Sequence, residues 1–252
     1  MSDKLLFILV HEKTYPLQML LGVQFGLSQG RVNIWGHRLL PILQQALARM
    51  QCTPERDGAQ VQSSALAQAG GADLVIDGTE RRRQRPSDAQ AQRNQYSGKK
   101  THTDKNIILV NRHSQKVVYL SQTNLGKKHD KRMAEDAQIV YPLNATLGKD
   151  TGFQGDEPLG VVAWQPKKKT KGQDLNGADL AVNHLLASVR IVVEQSLAGV
   201  KRYRIVKDVL RNTKPGLSDL VMEVACALHN LRVEFRHPIP TFDIFAVITY
   251  SE

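Results

Sequence analysis

Three carboxylate residues in this chain have the surroundings that a metal-dependent phosphodiester chemistry requires. Asp77 follows the apolar run 74–76, Asp150 opens a Gly-rich turn, and Glu194 lies in a helical pattern. Half-buried carboxylates repel one another unless cations neutralise them, and Mg²⁺ prefers oxygen ligands of this kind. The three carboxylates therefore predict an enzyme that uses Mg²⁺ to cut or join nucleic-acid strands.

The charge balance points to a polyanionic partner. Lys and Arg number 34 against 24 Asp and Glu, a net charge of +10, and such an excess attracts nucleic acid. The positive charge is concentrated in segments 78–105, 167–171 and 201–214. A like-charged run is often only a solvated surface. Because all three adjoin a candidate carboxylate or its helix, we predict that they contact backbone phosphates. The predicted contacts include Arg81, Arg82, Arg83, Lys99, Lys100, Lys167, Lys168, Lys169, Arg190, Lys201 and Arg202.

The sequence gives no sign of an extracellular or membrane protein. Cys52 and Cys226 are far apart and have no CxxC spacing, so neither a disulfide scaffold nor a zinc site is indicated. The apolar stretch 5–10 is too short to span a bilayer, and no signal-peptide pattern is present. We expect a cytoplasmic, nucleoid-associated protein with no membrane partner.

The first fifty residues predict a helix-turn-helix DNA-binding domain. The patterns indicate helices over 4–12, 16–25 and 28–50, with a tight turn at Gly26 and an N-cap at Ser28. Gly22 allows two helices to cross closely, and Val32 and Trp35 fill the space between them. An ordinary small helical bundle is the alternative. The polar residues facing away from this wedge, and so the predicted readers of base edges, are Gln29, Arg31, Asn33 and His37.

The remainder of the chain predicts a linker, a mixed α/β domain and a tail. Residues 51–71 are polar and rich in small residues, which is typical of a linker. Strands are predicted over 72–76, 106–111, 116–121 and 159–164, with one more leading to Asp150, and helices over 130–140, 178–200 and 217–235. Strands followed by alternating helices and strands favour a mixed sheet flanked by helices over 72–236. The tail 237–252 has no assigned role.

Each carboxylate also has a purely structural interpretation. Asp77 precedes a glycine, and an Asp-Gly pair often closes a hairpin, although the polar segment after it is long for a return strand. Asp150 fits an ordinary turn or helix entry. Glu194 lies on a polar stripe at the border of the apolar helix face, where Arg190, one turn earlier, could be a simple surface ion-pair partner.

Ordered motifs over most of the chain resemble the bacterial insertion-sequence DDE transposases, in the branch of DDE superfamily endonucleases related to Harbinger-type elements. The pieces in chain order are Asp77-Gly-Thr-Glu-Arg, Gln84-Arg-Pro, Tyr96-Ser-Gly-Lys-Lys, His102-Thr, Lys105-Asn, Gly126, His129-Asp-Lys, Asp150-Thr-Gly-Phe-Gln-Gly, Pro166-Lys-Lys-Lys, Arg190 with Val193-Glu194, Gly199-Val-Lys-Arg-Tyr-Arg and Leu228-His-Asn-Leu. The segment 17–43 also resembles the helix-turn-helix that precedes the nuclease in this branch.

The resemblance implies a ribonuclease-H-like catalytic domain in which Asp77, Asp150 and Glu194 are the catalytic, metal-binding residues. Asp130 matches a recurrent family aspartate and is a second-tier candidate. The implied cofactors are two Mg²⁺ ions about 4 Å apart, with Mn²⁺ as a substitute, so we expect the three carboxyl groups to converge. The implied partner is double-stranded DNA, both the terminal repeats of the element and the target, and we expect a homo-oligomer to assemble on it.

The competing interpretation is a DNA-binding protein without catalysis. A helix-turn-helix regulator, or a shortened or decayed transposase that only binds, would share the charge and the helical front end. It would have no need of all three carboxylates, so the presence of the three favours the enzyme.

Overall fold

A computed structural model describes residues 2–98, 101–155, 158, 160–169 and 175–236. The predicted DNA contacts Lys99 and Lys100 and the tail 237–252 lie outside the described residues. Within those residues, no helix has the length and apolar character needed to cross a membrane.

A mixed sheet forms the centre of the protein. Its strands are β1 Asp73–Arg82, β2 Thr103–Asn111, β3 Val117–Leu120, β4 Asn124–Leu125, β5 Thr146–Gly148 and β6 Val162–Trp164. The order across the sheet is β3-β2-β1-β5-β6, with β4 pairing with β2. β2 is antiparallel to both β1 and β3, β5 is parallel to β1, and β6 is parallel to β5. This is the ribonuclease-H-like arrangement, and it confirms the predicted fold class.

Helices cover both faces of the sheet. Their bounds are α1 Ser2–Thr14, α2 Gln18–Phe25, α3 Gln29–Arg49, α4 Ala65–Gln68, α5 Ala89–Gln95, α6 Asp130–Ala137, α7 Gly177–Val200, α8 Arg204–Lys207 and α9 Leu217–Glu234. In β1, Val75 faces the core formed with α1, α3, α7, α8 and α9, whereas Leu74 and Ile76 face the core formed with α4 and α6. Strands buried on both faces read as continuous apolar runs, as 74–76 does.

β1 is twice as long as the sequence indicated. The predicted strand ended at Ile76, and an Asp-Gly turn was one interpretation of the next two residues. Instead β1 continues to Arg82, and Asp77 and Gly78 pair with Ile108 and Ile107 of β2. The polar second half of β1 concealed the strand, because its buried side chains are Thr79 and Arg81 rather than apolar ones.

The N-terminal region is helical with a tight turn between its second and third helices, and its assignment as a DNA-binding helix-turn-helix stays a prediction. α2 and α3 are joined by a turn in which Gly26 has a left-handed φ of 64°, and the Ser28 hydroxyl accepts a hydrogen bond from the Arg31 amide at 3.4 Å. A Cβ atom at Gly22 would collide with the carbonyl oxygen of Leu27 and contact Val32. The glycine therefore permits the close crossing, and Val32 is fully buried within it.

These helices share one hydrophobic core with the sheet. Leu40 and Leu47 of α3 belong to the same buried cluster as Val75 of β1 and Val193 of α7, and α3 packs along α9. The segment 51–71, predicted as a linker, also packs on the sheet, since Val61 and Ala67 within it are fully buried. The N-terminal helices are therefore held rigidly against the sheet by apolar burial, which is the dominant favourable term in folding.

Candidate active site

Asp77 lies near the middle of β1 on the face that α7 covers. Side chains alternate along a strand, so Asp77 points to the same face as Val75, which contacts the α7 side of the core. Its Oδ1 accepts a hydrogen bond from the Gly78 amide at 2.8 Å. The carboxylate is thus fixed to a rigid strand rather than to the mobile end of a loop.

The environment of Asp77 disfavours its charge. Burial raises the pKa of Asp77 to about 6; the Gly78 amide and the charge of Arg190 oppose this rise, and Asp150 and Asp130 reinforce it. A carboxylate that is removed from water and close to other carboxylates is incompletely neutralised by its protein surroundings. A further cation bound beside Asp77 would therefore stabilise its charged form.

Asp150 is brought beside Asp77 by the pairing of β5 with β1. The last parallel pair is Val75 with Gly148, and two further residues lead along β1 to Asp77 and beyond the end of β5 to Asp150. The Asp150 carboxylate caps the short 3₁₀ turn Thr151–Phe153 by accepting the Thr151 amide at 2.6 Å. Phe153 is buried in the opposite core and fixes this turn.

Glu194 is carried by α7, which packs on the same face of β1. The predicted apolar face of α7 is buried at Leu186, Val189, Val193, Leu197 and Val200, but Val182 near the start of the helix is 54% exposed. Glu194 lies at the edge of this face, is exposed, and makes no hydrogen bond or ion pair within the described residues. Its ion pair with Arg190, the structural interpretation, is not formed.

Arg190 pairs with Asp150 instead. Its Nη1 lies 3.2 Å from Asp150 Oδ1, and its positive charge also lowers the pKa of Asp77. Sequence reasoning identified Arg190 as a DNA contact or a partner for Glu194, and it missed this pairing. The sequence signal was weak. The contact joins α7 to the turn after β5, forty positions earlier, and it depends on an order of strands that the sequence did not specify.

The donor set fits a hard divalent cation, although it is not arranged as a finished site. In the part of the chain that the structure describes, no group of three or more His, Cys, Asp and Glu side chains could hold a metal ion. Asp77 and Asp150 come together, Arg190 lies beside them, and Glu194 points to solvent from the neighbouring helix. Carboxylate oxygens are the ligands that Mg²⁺ and Mn²⁺ take, and Asp77 is a carboxylate that its surroundings leave incompletely compensated.

Asp130, the second-tier candidate, reaches the sheet from the first residue of α6. A Cβ atom at Gly78 would meet Asp130 Oδ2 at 2.9 Å, so Gly78 makes room for this carboxylate. Lys105 Nζ lies 3.3 Å from Asp130 Oδ1 and 3.4 Å from Glu80 Oε1. Asp130 therefore already has a cationic partner, although its charge still contributes to the raised pKa of Asp77.

One predicted DNA contact, Arg81, was wrong. Its side chain is 4% exposed, and its guanidinium donates to Ser218 Oγ at 2.9 Å, to Thr123 Oγ1 at 3.0 Å and to Asn106. Burial lowers the pKa of Arg81 to about 10, so it stays charged at neutral pH. Arg81 is therefore a buried cation that stabilises the fold. Counting the charges in a basic segment could not show which of them are buried.

The other described members of the basic segments differ in availability. Arg82, Lys168, Lys169 and Arg202 are exposed. Lys167 is exposed but ion-paired with Asp179 at 2.9 Å, Arg83 pairs with the buried Asp104 at 3.1 Å, and Lys201 is partly buried. Their contacts with DNA stay predictions.

Three of the four predicted base readers lie at the surface of α3. Gln29, Arg31 and Asn33 are exposed, and Asn33 accepts a hydrogen bond from Gln18 at 3.2 Å. His37 is partly buried and contacts Asn212 through Nε2 at 3.1 Å, so it faces the segment between α8 and α9.

Comparison with known proteins gives two matches. The family model described as DDE superfamily endonuclease matches residues 76–230, which include all three candidate carboxylates. The chain is 24% identical over 212 residues to a probable transposase for insertion sequence element IS702 from Microchaete diplosiphon, covering 84% of this chain and 73% of that protein. No solved structure matches the chain.

Proposed function

The chain belongs to the DDE superfamily endonuclease family, and we propose that it is a transposase that cuts the DNA ends of its element and joins them to target DNA. One observation carries the proposal: Asp77 on β1 and Asp150 after β5 lie side by side under α7, the helix that presents Glu194. Acidic residues on rigid, adjoining elements are what a metal-dependent phosphodiester site needs.

In this proposal Asp77, Asp150 and Glu194 hold the metal, with Mg²⁺ as the physiological ion and Mn²⁺ as its substitute. Divalent cations bound there would activate an attacking oxygen and stabilise the departing one. Asp77 is held by β1 and Asp150 by its 3₁₀ turn, so both bind without rearranging their backbone. Glu194 completes the ligand set from its exposed position by a change of side-chain rotamer.

The DNA is the partner that the charge distribution favours. The exposed Lys168, Lys169 and Arg202 would contact backbone phosphates, and Gln29, Arg31 and Asn33 of α3 would read bases in the major groove. In this proposal residues 1–50 recognise the terminal repeats, and 72–236 catalyse cleavage and strand transfer. Cutting two ends together requires more than one active site, so a homo-oligomer would assemble on the DNA.

A cleavage assay tests the proposal. Labelled duplexes taken from the DNA on either side of the coding sequence are incubated with the full-length protein and MgCl₂ or MnCl₂. We expect cuts that EDTA and Asp77→Asn both abolish, while DNA binding by Asp77→Asn persists. Binding without cleavage by the wild-type protein in either metal would contradict the enzyme and favour the DNA-binding alternative.

A further inference from the structure

Arg190 has a relationship to the candidate metal ligands that DNA binding does not explain. Its Nη1 lies 3.2 Å from Asp150 Oδ1, and its side chain is 19% exposed. The same guanidinium is close enough to Asp77 to favour its charged form. Arg190 therefore offsets part of the negative charge of the two carboxylates that a divalent ion would bind.

The inward position of Arg190 leaves one of its donors unsatisfied. The Nε atom is buried and has no hydrogen-bond acceptor among the described residues. A buried donor without a partner costs free energy that is recovered when the group reaches water or another acceptor. Attraction to the carboxylates, and not a complete set of hydrogen bonds, therefore holds the guanidinium in place.

The position on α7 makes this guanidinium displaceable. Arg190 lies one helical turn before the exposed Glu194, and residues three or four apart lie on the same side of a helix. This part of α7 is anchored by Val189 and Val193, which directly precede Arg190 and Glu194 and are buried. Only side-chain rotation is then required for Arg190 to leave and for Glu194 to enter.

We propose that Arg190 is an internal counter-cation that competes with divalent metal for Asp77 and Asp150, and that it withdraws from them when metal binds. Arg190 is thus a positioning residue. It lowers the affinity of the two carboxylates for metal, and it reduces the repulsion between them when no metal is bound. The inference rests on the proposed function, because it assumes that these two aspartates bind metal.

In such a competition the apparent Kd for metal equals the intrinsic Kd divided by the fraction of molecules in which Arg190 has left the carboxylates. Removing the guanidinium abolishes the competition. It also removes a positive charge that would repel the bound ion. We therefore expect Arg190→Gln to bind Mn²⁺ about tenfold more tightly than the wild type. Arg190→Lys keeps the charge and should stay within about threefold of wild-type affinity.

The test is calorimetric titration of the metal-free, full-length protein with MnCl₂ in the absence of DNA. Arg132→Gln is the matched control, because Arg132 also pairs with two carboxylates, Glu135 and Asp136, but is 70% exposed on α6. Its affinity for Mn²⁺ should equal that of the wild type. Thermal unfolding in EDTA should show a lower Tm for Arg190→Gln, and added Mn²⁺ should raise its Tm by more than it raises that of the wild type.

Failure of this inference differs from failure of the proposed function. If Asp77→Asn loses Mn²⁺ binding but Arg190→Gln binds no more tightly than the wild type, the metal site stands and the competition is wrong. If neither the wild type nor Arg190→Gln binds Mn²⁺ through Asp77, the metal site itself is wrong, and the inference with it. Should Arg190→Gln be too unstable for calorimetry, a Mn²⁺-dependent rise in Tm equal to or smaller than that of the wild type would also overturn the competition.

Discussion

Asp150 lies level with Asp77 because β5 runs parallel to β1. The paired residues Val75 and Gly148 set the register, and both chains continue two residues further to a carboxylate. The two acidic groups are 73 positions apart in sequence, so their proximity is a product of the sheet order. Any change that shifts this register would separate them.

The adjacent arginines Arg81 and Arg82 on β1 should contribute very differently to the stability of the fold. Arg81 is buried among Ser218, Asn106 and Thr123, so Arg81→Gln leaves buried partners without their cation and should cost about 3 kcal/mol or more in the free energy of unfolding. Arg82 is exposed, and Arg82→Gln should change stability by less than about 0.5 kcal/mol. Urea unfolding of both variants makes the comparison, and equal stabilities would contradict the buried role of Arg81.

The stability of the protein should fall in acid because of His229. Its Nε2 contacts the Gln115 carbonyl oxygen at 2.9 Å and its Nδ1 contacts Arg232 at 3.1 Å, which fits a neutral ring that donates from Nε2. Burial, assisted by the charge of Arg232 and opposed by the Gln115 hydrogen bond, lowers the pKa of His229 to about 4. The group therefore stabilises the fold fully above pH 6.5.

Between pH 6.5 and about 4 the unfolded chain binds a proton at this ring and the folded protein does not. The free energy of unfolding should therefore decrease over this window by on the order of 3 kcal/mol. Chemical unfolding at stepped pH measures it. His229→Gln should flatten this part of the profile, and His184→Gln, at an exposed position on α7, should retain it; a flat wild-type profile would exclude a buried neutral His229.

The lysine cluster 167–169 should govern the salt dependence of DNA binding. Each phosphate contact contributes about 0.9 to the slope of log K against log salt. Replacing all three lysines by Ala should therefore lower the slope by about 2–3 and weaken binding to all sequences alike. Arg49→Ala, exposed at the end of α3, is the control that should leave the slope unchanged, and an unaltered slope in the triple variant would show that the cluster is only a solvated loop.

Sequence preference should depend on the exposed residues of α3. Removal of residues 1–50 is not a usable test, since these helices share the core of the sheet. Arg31→Ala and Asn33→Ala should each lower affinity for the recognised ends by about 1–3 kcal/mol, with a smaller loss on scrambled duplex. Fluorescence anisotropy on both duplexes separates the two effects; equal losses on both would mean that α3 contacts backbone only.

The sequence predicted the long amphipathic elements well and the polar ones poorly. α7 and α9 follow helical apolar periodicity, and Gly22, Gly26 and Ser28 marked the turn before α3 through backbone requirements that few residues meet. The second half of β1 was missed because its buried members, Thr79 and Arg81, are polar, and Arg81 is held by Asn106 of β2 and Ser218 of α9. The pairing of Arg190 with Asp150 was missed for a related reason, since it depends on which strands adjoin.

Glu194→Gln tests the central claim most directly. The change preserves the shape of the side chain and removes its charge, and a neutral amide oxygen holds Mg²⁺ more weakly than a carboxylate oxygen does. Because Glu194 is exposed and makes no ion pair within the described residues, the free energy of unfolding should change by less than about 0.5 kcal/mol. Cleavage of flanking DNA and thermal unfolding are measured on the same purified variant. We predict that Mg²⁺-dependent cleavage disappears while Tm and DNA affinity persist; full cleavage by Glu194→Gln would contradict the assignment of Glu194 as the third metal ligand.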